Sequence, residues 1–595
     1  MNILGISCYY HDAAAALLKD GKLIACAQEE RFTRKKNDPD FPANAIDFVL
    51  NQASIKPAEL DYVAFYDKPF LKFERIIKSI MQTYPRSSKL FREVTHTWFK
   101  DKLWIKSAIA SHLSMDLEKI LFVEHHMSHA ASTFLCSPFE KAAILTVDGV
   151  GEWASTTIGT GDGTSIKLLK EIHFPHSLGL LYSAFTAFLG FEVNEGEYKV
   201  MGMAPFGAPH YTDKVKKVIN LYPDGSFELN MDYFSFHYST EHTYNNKFVQ
   251  LFGEPRSPKS KFFTADSGYP SYFGEKPLNY EELCKENQYY ADIAASIQAV
   301  LEEALIKLAK TAYEDTKLDK LCIAGGVGLN SSANYKILMN SPFTDLFIQP
   351  AAGDAGGAIG AALYVYNTML GNKRSFIMNH AYFGKEYNTD EIRSAVEEFG
   401  ATYTIINNEA KLLELTVDEL LKGKVIGWFQ GKFEWGPRAL GCRSIIADAR
   451  IPEMKDIVNT KIKFREPFRP FAPSVLAEHA HKYFDFDNSI EHYPAKFMLY
   501  VIPVKKEKQE EIPAVTHVDG TGRLQMVEKN LNPLYWNLIN TFYQKTGTAL
   551  ILNTSFNLKG EPIVNTPTNA LNTFSKSGMD LLIMGSTIVH KGTRD

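Results

Sequence analysis

Two histidines four residues apart and two distant aspartates are the residues of this chain whose types and spacing best fit chemistry. His125 and His129 lie in Val123-Glu124-His125-His126-Met127-Ser128-His129-Ala130. A helix there projects both imidazoles from one face. Asp148 ends the apolar run 142–147, where a strand delivers a carboxylate to a cleft. Asp354 stands among glycines in Gly353-Asp354-Ala355-Gly356-Gly357-Ala358, at a helix start. Two imidazoles and two carboxylates make a donor set for a divalent metal of the zinc or iron type. The histidine pair alone also fits one packed and one capping residue. The two aspartates favour a single shared metal site.

A second group is basic. Residues 436–470 hold eight Lys or Arg and four acids. Arg438 and Arg443 sit near what reads as a helix opened by Pro437. Lys463, Arg465 and Arg469 alternate with apolar residues, so a strand would send their charges to one side. Arg523 follows among small polar neighbours, and Asn553, Ser555 and Asn557 follow the strand pattern at 549–552. Converging guanidiniums with amide and hydroxyl donors recognise phosphate and carboxylate groups bidentately. A solvated charged face is the alternative. The prolines and aromatics threaded between these charges fit a rigid cleft better. A third feature is the loop carrying Gly325, Gly326, Gly328 and Asn330, between the strand pattern 321–324 and a helix. Backbone of that kind approaches a nucleotide's phosphate or ribose closely.

These residues need elements to hold them. The N-terminal residues read as a β-meander: strands at 3–7, 13–18 and 23–27, with a type I′ turn at Asp20-Gly21. The pattern returns at 142–149, 154–158 and 166–169, with a turn at 161–163. Two copies suggest a duplicated α/β half, as in the actin, sugar-kinase and Hsp70 type of fold, which encloses a nucleotide. Apolar residues at 293, 297, 300, 301, 304, 305 and 308 have helical spacing. Residues 224–280 are aromatic-rich and read as a small β-rich insertion, whose rings form its core or wall an acceptor pocket. The many Lys and Arg of 68–106 lie on helical stretches as a solvated face. A boundary near residue 372 separates a domain over 1–372 from one over 373–595, with a helix at 410–421 and a strand at 425–429 in the latter.

At 595 residues, 45% hydrophobic and 22% charged, the chain is globular and multidomain. A net charge of −5 gives no footprint for nucleic-acid binding. Six scattered cysteines without a CxxC pair suit a reducing compartment. With no signal-like N-terminus and no long apolar run, the expectation is a cytoplasmic protein without a membrane partner.

Taken together, these motifs resemble the NodU/CmcH-type O-carbamoyltransferases over nearly the whole chain. The resemblance rests on Ile-Leu-Gly-Ile-Ser-Cys-Tyr-Tyr-His11-Asp12, the histidine pair, the run from Glu197 through Pro205 to Gly207, and Gly-Asp354-Ala-Gly-Gly-Ala. It rests equally on the run from Phe433 to Ser444, Arg-Glu-Pro-Phe-Arg469-Pro-Phe-Ala-Pro473, and Asn553-Thr-Ser-Phe-Asn557. It implies an N-terminal domain like the catalytic subunit of the tRNA threonylcarbamoyl transferase and a C-terminal YrdC-like α/β domain. It also implies an ATP-dependent enzyme that makes carbamoyl-adenylate from carbamoyl phosphate and Mg-ATP. The carbamoyl group then passes to a hydroxyl of a small-molecule acceptor, a natural product or sugar. His125, His129, Asp148 and Asp354 would hold Fe2+ first among divalent ions, and His11 would be the general base. Arg438, Lys463, Arg469 and Arg523 would act in catalysis, and with Arg443, Arg465, Asn553, Ser555 and Asn557 would bind carbamoyl phosphate and ATP. A homodimer is an open option. A tRNA threonylcarbamoyl-type transferase and a non-catalytic nucleotide sensor are the competing readings. The net acidity argues against the first and the basic cleft against the second.

Overall fold

A computed structural model describes residues 1–100, 102–463 and 466–591. It is a mixed α/β protein that divides into two units. The first comprises Met1–Glu29, Asn37–Ser260 and Gln288–Met378. The second comprises Glu30–Lys36, Lys261–Asn287 and Asn379–Asp595.

The first unit holds the duplication. Strands β1 (Asn2–Ser7), β2 (Ala14–Lys19), β3 (Lys22–Gln28), β4 (Tyr62–Phe65) and β5 (Ile120–Phe122) form one sheet in the order β3-β2-β1-β4-β5. Strands β6 (Lys141–Val147), β7 (Ala154–Asp162) and β8 (Ser165–His173) form a meander. A short hairpin pairs β9 (Ile219–Leu221) with β10 (Phe227–Leu229). Strands β11 (Lys320–Ala324) and β12 (Asp345–Phe347) complete the second sheet, β12-β11-β6-β7-β8. In both sheets the three meander strands are antiparallel, and the first of them pairs in parallel with the next, which pairs in parallel with the last. The expected repeat is therefore present as identical topology. Both residues of the Asp20-Gly21 turn have positive φ, 50° and 75°, as a type I′ turn requires. The second turn falls after Asp162, which still pairs with Ser165, rather than at 161–163.

The copies differ in one connection. Between β11 and β12 runs a single α-helix, Ser331–Asn340, whereas between β4 and β5 run three, Pro69–Thr83, Ser88–Lys100 and Ile105–Leu113. The helix expected around 293–308 extends over Tyr280–Thr316, and every apolar position named for it is buried. The aromatic-rich stretch is not β-rich. Beyond the three-residue strand β10, it holds the helix Asn246–Phe252, short 3-10 turns and extended chain. Its Phe234, Phe248 and Phe252 are fully buried, and the last two pack on Phe185 and Phe188 at centroid distances of 5.0 to 6.1 Å. Ring burial rather than strand pairing organises this segment.

The second unit is built on a nine-stranded mixed sheet. Its strands are β13 (Tyr403–Ile405), β14 (Ile426–Phe429), β15 (Arg443–Ala447), β16 (Ala472–Leu476), β17 (Tyr500–Pro503), β18 (Thr521–Val527), β19 (Leu550–Ser555), β20 (Leu581–Met584) and β21 (Thr587–His590). Their order is β13-β21-β20-β14-β15-β19-β16-β18-β17. Among the described residues no helix is long and apolar enough to cross a membrane.

Candidate metal centre and basic cluster

The helix His125–Phe134 follows β5 directly. Its start is fixed by Glu152, whose two carboxylate oxygens accept from the His125 main-chain N–H, both at 3.1 Å. One oxygen also accepts from Lys68 N at 2.8 Å. A buried carboxylate at a helix N-terminus satisfies an otherwise orphaned donor and complements the helix dipole. One turn later His129 stands beside His125, with the two Nε2 atoms 3.0 Å apart.

Asp148 leaves the end of β6 and points back toward the pair: its Oδ2 is 3.1 Å from His125 Nε2 and 3.7 Å from His129 Nε2. Its Oδ1 accepts the Gly326 N–H at 2.7 Å. That loop must begin with glycine. Gly325 has φ of 95°, and a Cβ there would meet the Val147 carbonyl oxygen at 2.2 Å. Asp354 opens the helix Asp354–Leu363, with Oδ1 at 3.5 Å from His129 Nε2 and 3.7 Å from His125 Nε2. This helix lies directly on the histidine helix. A Cβ at Gly360 would stand 1.9 Å from the Ser128 carbonyl oxygen, so the contact admits no side chain.

The four side chains are buried, and their donor atoms lie within 4.8 Å of one another. Metal–ligand bonds of about 2.1 Å place neighbouring donors roughly 3.0–3.5 Å apart, which the measured separations approach. Asp354 Oδ1 has no hydrogen-bond partner among the described residues. A buried carboxylate oxygen left this way is costly unless a cation meets it. Two carboxylates and two imidazoles match a divalent ion, so the residues fit the metal expected of them. In the bare cluster the charges lean on each other. Burial pushes Asp354 up, but His11 and His125 push it down further, to about 2. Burial lowers His129, but the neighbouring carboxylates of Asp148 and Asp354 raise it to about 9.

His11 stands nearby with its Nδ1 3.0 Å from Asp12 Oδ2. Burial lowers its basicity, while Asp354, Asp12 and Asp148 together raise its pKa to about 10. In the bare cluster the field of these carboxylates favours the imidazolium form.

Several residues at this site are not evident from the sequence. Lys72 and Arg75, placed with a solvated basic face, are 7% and 6% exposed. Lys72 pairs with Asp67 at 2.9 Å. Tyr10 lies close enough to Asp148 and Asp354 for both to disfavour its phenolate. The only sequence signal is the i, i+3 spacing of Lys72 and Arg75 behind Pro69, and Glu152 in the glycine-flanked stretch after Asp148.

The glycine loop serves this centre through the Gly326 amide. Gly328 is buried within the short 3-10 turn Gly326–Leu329. The Asn330 side chain is engaged within the fold. Its Oδ1 caps the helix Ser331–Asn340, and its amide exchanges hydrogen bonds with Gln298 at 3.0 Å.

In the second unit the basic residues have diverse fates. No helix starts at Pro437. Instead the loop wraps around Glu434, whose Oε1 accepts from the amides of Leu440, Cys442 and Arg443 at 2.7 to 3.1 Å. Arg443 is wholly buried in β15. Its guanidinium donates to the carbonyls of Gln430, Gly431, Cys442 and Lys385 and lies 3.6 Å over the Phe429 ring. Its donors hold the fold, so it is withdrawn from the phosphate-binding set. Among the described residues no strand carries the alternating charges before β16. The chain makes a π-helical turn over Asn459–Lys463 and enters β16 only at Ala472, because Pro467 and Pro470 cannot donate to a ladder. The Lys463 side chain and Arg465 lie outside the described residues. Arg469 is half-buried, 3.6 Å from Glu466. Arg438 is half-buried in the Glu434 loop, and Arg523 is half-buried on β18. Asn553 lies inside β19 rather than after it. Its Nδ2 donates to Ala439 O, Ser474 Oγ and Gln525 Oε1, tying the loop to three strands. Ser555 Oγ donates to Asn557 Oδ1, and Asn557 Nδ2 donates to Glu561 O.

Two family models match the chain: the carbamoyltransferase N-terminus over residues 2–363 and the carbamoyltransferase C-terminus over residues 417–591. A Synechocystis protein called sll1178 is 44% identical, covering 99% of this chain and 97% of its own. Nodulation protein NolNO of Sinorhizobium fredii is 35% identical over 98% of this chain and 80% of its own. The 3'-hydroxymethylcephem-O-carbamoyltransferase of Streptomyces clavuligerus is 34% identical over 41% of this chain and 44% of its own. The chain belongs to the NodU/CmcH-type carbamoyltransferase family, and it is a carbamoyltransferase enzyme.

Proposed function

We propose that this carbamoyltransferase divides its reaction between residues 373–595, read as a YrdC-like activating domain, and residues 1–372, read as the transfer domain. In the activating domain, water releases phosphate from carbamoyl phosphate and leaves carbamate. A carbamate oxygen attacks the α-phosphorus of Mg-ATP and expels pyrophosphate, giving carbamoyl-adenylate. Arg438, Arg469 and Arg523 are the described cations proposed to meet the phosphates, with Asn553 bracing the loop that carries Arg438. In the transfer domain, the hydroxyl oxygen of a small-molecule acceptor attacks the carbamoyl carbon, and AMP departs.

His125, His129, Asp148 and Asp354 would hold the metal, Fe2+ being the first choice. When bound, the ion supplies Lewis acidity toward an oxygen of donor or acceptor. Its charge would also offset the two aspartates that keep His11 protonated, moving that imidazole toward the form that can accept the acceptor's proton. Keeping carbamate activated and away from water is the chemical reason for two steps, since free carbamate loses carbon dioxide. A hydroxylated small-molecule acceptor is the counterpart of what the cephem enzyme's name describes for that relative.

The observation that carries this reading is the convergence of four buried donor atoms at the strand and helix ends of the duplicated fold. Its test is a pyrophosphate assay with the full chain. Release should require ATP and carbamoyl phosphate together. Pyrophosphate made from ATP alone would contradict it.

A further inference from the structure

Near the metal centre, Arg75 is a buried guanidinium that the two-step reaction leaves without work. It is 6% exposed, its Nε has no hydrogen-bond partner, and among the described residues no carboxylate lies within ion-pairing distance of it. Its guanidinium lies against the face of Phe174, 4.7 Å away. Glu152, the acid nearest in effect, is already engaged by the main chain at Lys68 and His125. Lys72, three residues earlier on the same helix, has Asp67. The contrast matters because an uncompensated buried charge is strongly destabilising. A fold keeps one where a ligand supplies the missing charge.

Its position says which site it serves. Lys72, one turn earlier on the same helix, has its Nζ 5.3 Å from the Tyr10 ring and 5.9 Å from that of Tyr66, whose hydroxyl donates to Asp354 Oδ2 at 3.4 Å. Arg75 also lies on the first of the three helices of the β4–β5 connection, whose counterpart in the other half of the repeat has only one. The extra segment thus brings a cation to the edge of the metal centre that the duplicated scaffold does not supply.

We propose that Arg75 is the anchor of an oxyanion subsite in the transfer domain, taking a phosphate-, sulfate- or carboxylate-class group of a reactant. The inference rests on the transfer role given to residues 1–372. The group comes either from the phosphoryl of the carbamoyl-adenylate or from an anionic substituent of the acceptor. A planar guanidinium receives any of these bidentately.

The test uses inorganic sulfate as probe on the metal-loaded full chain, by calorimetric titration at constant ionic strength. Arg75→Met should weaken at least one sulfate site tenfold or more, with Arg75→Lys retaining part of the affinity. Because the guanidinium lacks a carboxylate partner, Arg75→Met without sulfate should melt no lower than the natural protein. Repeating the titration with saturating AMP assigns the source: loss of the Arg75-dependent site places the donor phosphoryl there, and its persistence places the acceptor there. Unchanged sulfate binding in Arg75→Met overturns the proposal, and so does a clear fall in melting temperature, which marks a structural arginine. Pyrophosphate release measured alongside keeps the two readings apart, since its failure with intact Arg75-dependent binding would sink the two-step reaction and leave the subsite standing.

Discussion

In the first unit, four polar side chains from three elements turn their ligand atoms toward one point, and Asp354 Oδ1 has no hydrogen-bond partner among the described residues. In the second unit, the densest run of basic residues contains Arg443, whose guanidinium is engaged by four main-chain carbonyls, and is braced by Asn553, whose amide is engaged by three acceptors. Both regions carry chemically capable residues on strand ends and loops. They differ in how much is spent on the fold: the first converges four ligand atoms on one point, whereas Arg443 and Asn553 direct most of their donors to main-chain and strand partners. A residue type and its spacing mark where chemistry is available, and leftover hydrogen-bonding capacity marks where it is directed outward.

Arg443 gives the sharpest contrast. Arg443→Met should cost about 3 kcal/mol of stability, because several buried carbonyls lose a charged donor. Denaturant unfolding measures this, and the folded fraction should keep its apparent affinity for carbamoyl phosphate. Arg438→Met should do the reverse, melting close to the natural protein while weakening that affinity. If Arg443→Met unfolds normally but loses carbamoyl phosphate, the division between the two arginines is wrong.

Glu152 tests how the metal site is held. Glu152→Gln keeps size and removes the charge that seats the His125 amide, so metal affinity should fall roughly 10–100-fold, the range seen for outer-shell partners. Competitive chelation with metal analysis reads the change. An unaltered affinity would mean that the helix needs no carboxylate at its start.

A smaller effect concerns pH. Burial lowers the pKa of His517 to about 4, with Asp519 opposing the shift and Arg523 and Lys455 adding to it. The folded chain therefore holds this imidazole neutral where the unfolded chain, near pKa 6.5, takes a proton. Stability is fully present above about pH 6.5 and is lost as pH falls toward 4, at up to about 1.4 kcal/mol per pH unit. His517→Gln should flatten that slope in urea melts at pH 7, 6 and 5. A slope identical to the natural protein's would place the proton uptake elsewhere.

How much of this is legible in the sequence follows the same physics. The meander repeat, the helix under His125 and His129, and the two aspartates at element ends are readable, because local periodicity and glycine placement fix them. The helix expected at Pro437 does not form, and among the described residues no strand carries the charges that precede β16. Glu434 collects the loop amides from inside, and Pro467 and Pro470 block a ladder, and neither effect is visible as periodicity. Arg443 looks like a ligand because a charge pattern does not reveal which carbonyls will surround it. Lys72 and Arg75 look solvated because their burial depends on Tyr10 and Phe174, which are remote in sequence, as well as on nearby Tyr66. Asn330 caps a helix, a role the sequence does not separate from a ribose contact because both use the same residue type.

The central claim is that the buried His–Asp cluster serves transfer alone. His129→Ala in the full chain, assayed for bound metal, pyrophosphate release and product carbamoylation, tests it most directly. The account predicts metal content falling well below one per chain and carbamoylation of a hydroxylated acceptor lost, with pyrophosphate still released from ATP and carbamoyl phosphate. Equal loss of pyrophosphate release and carbamoylation in a folded variant would contradict it.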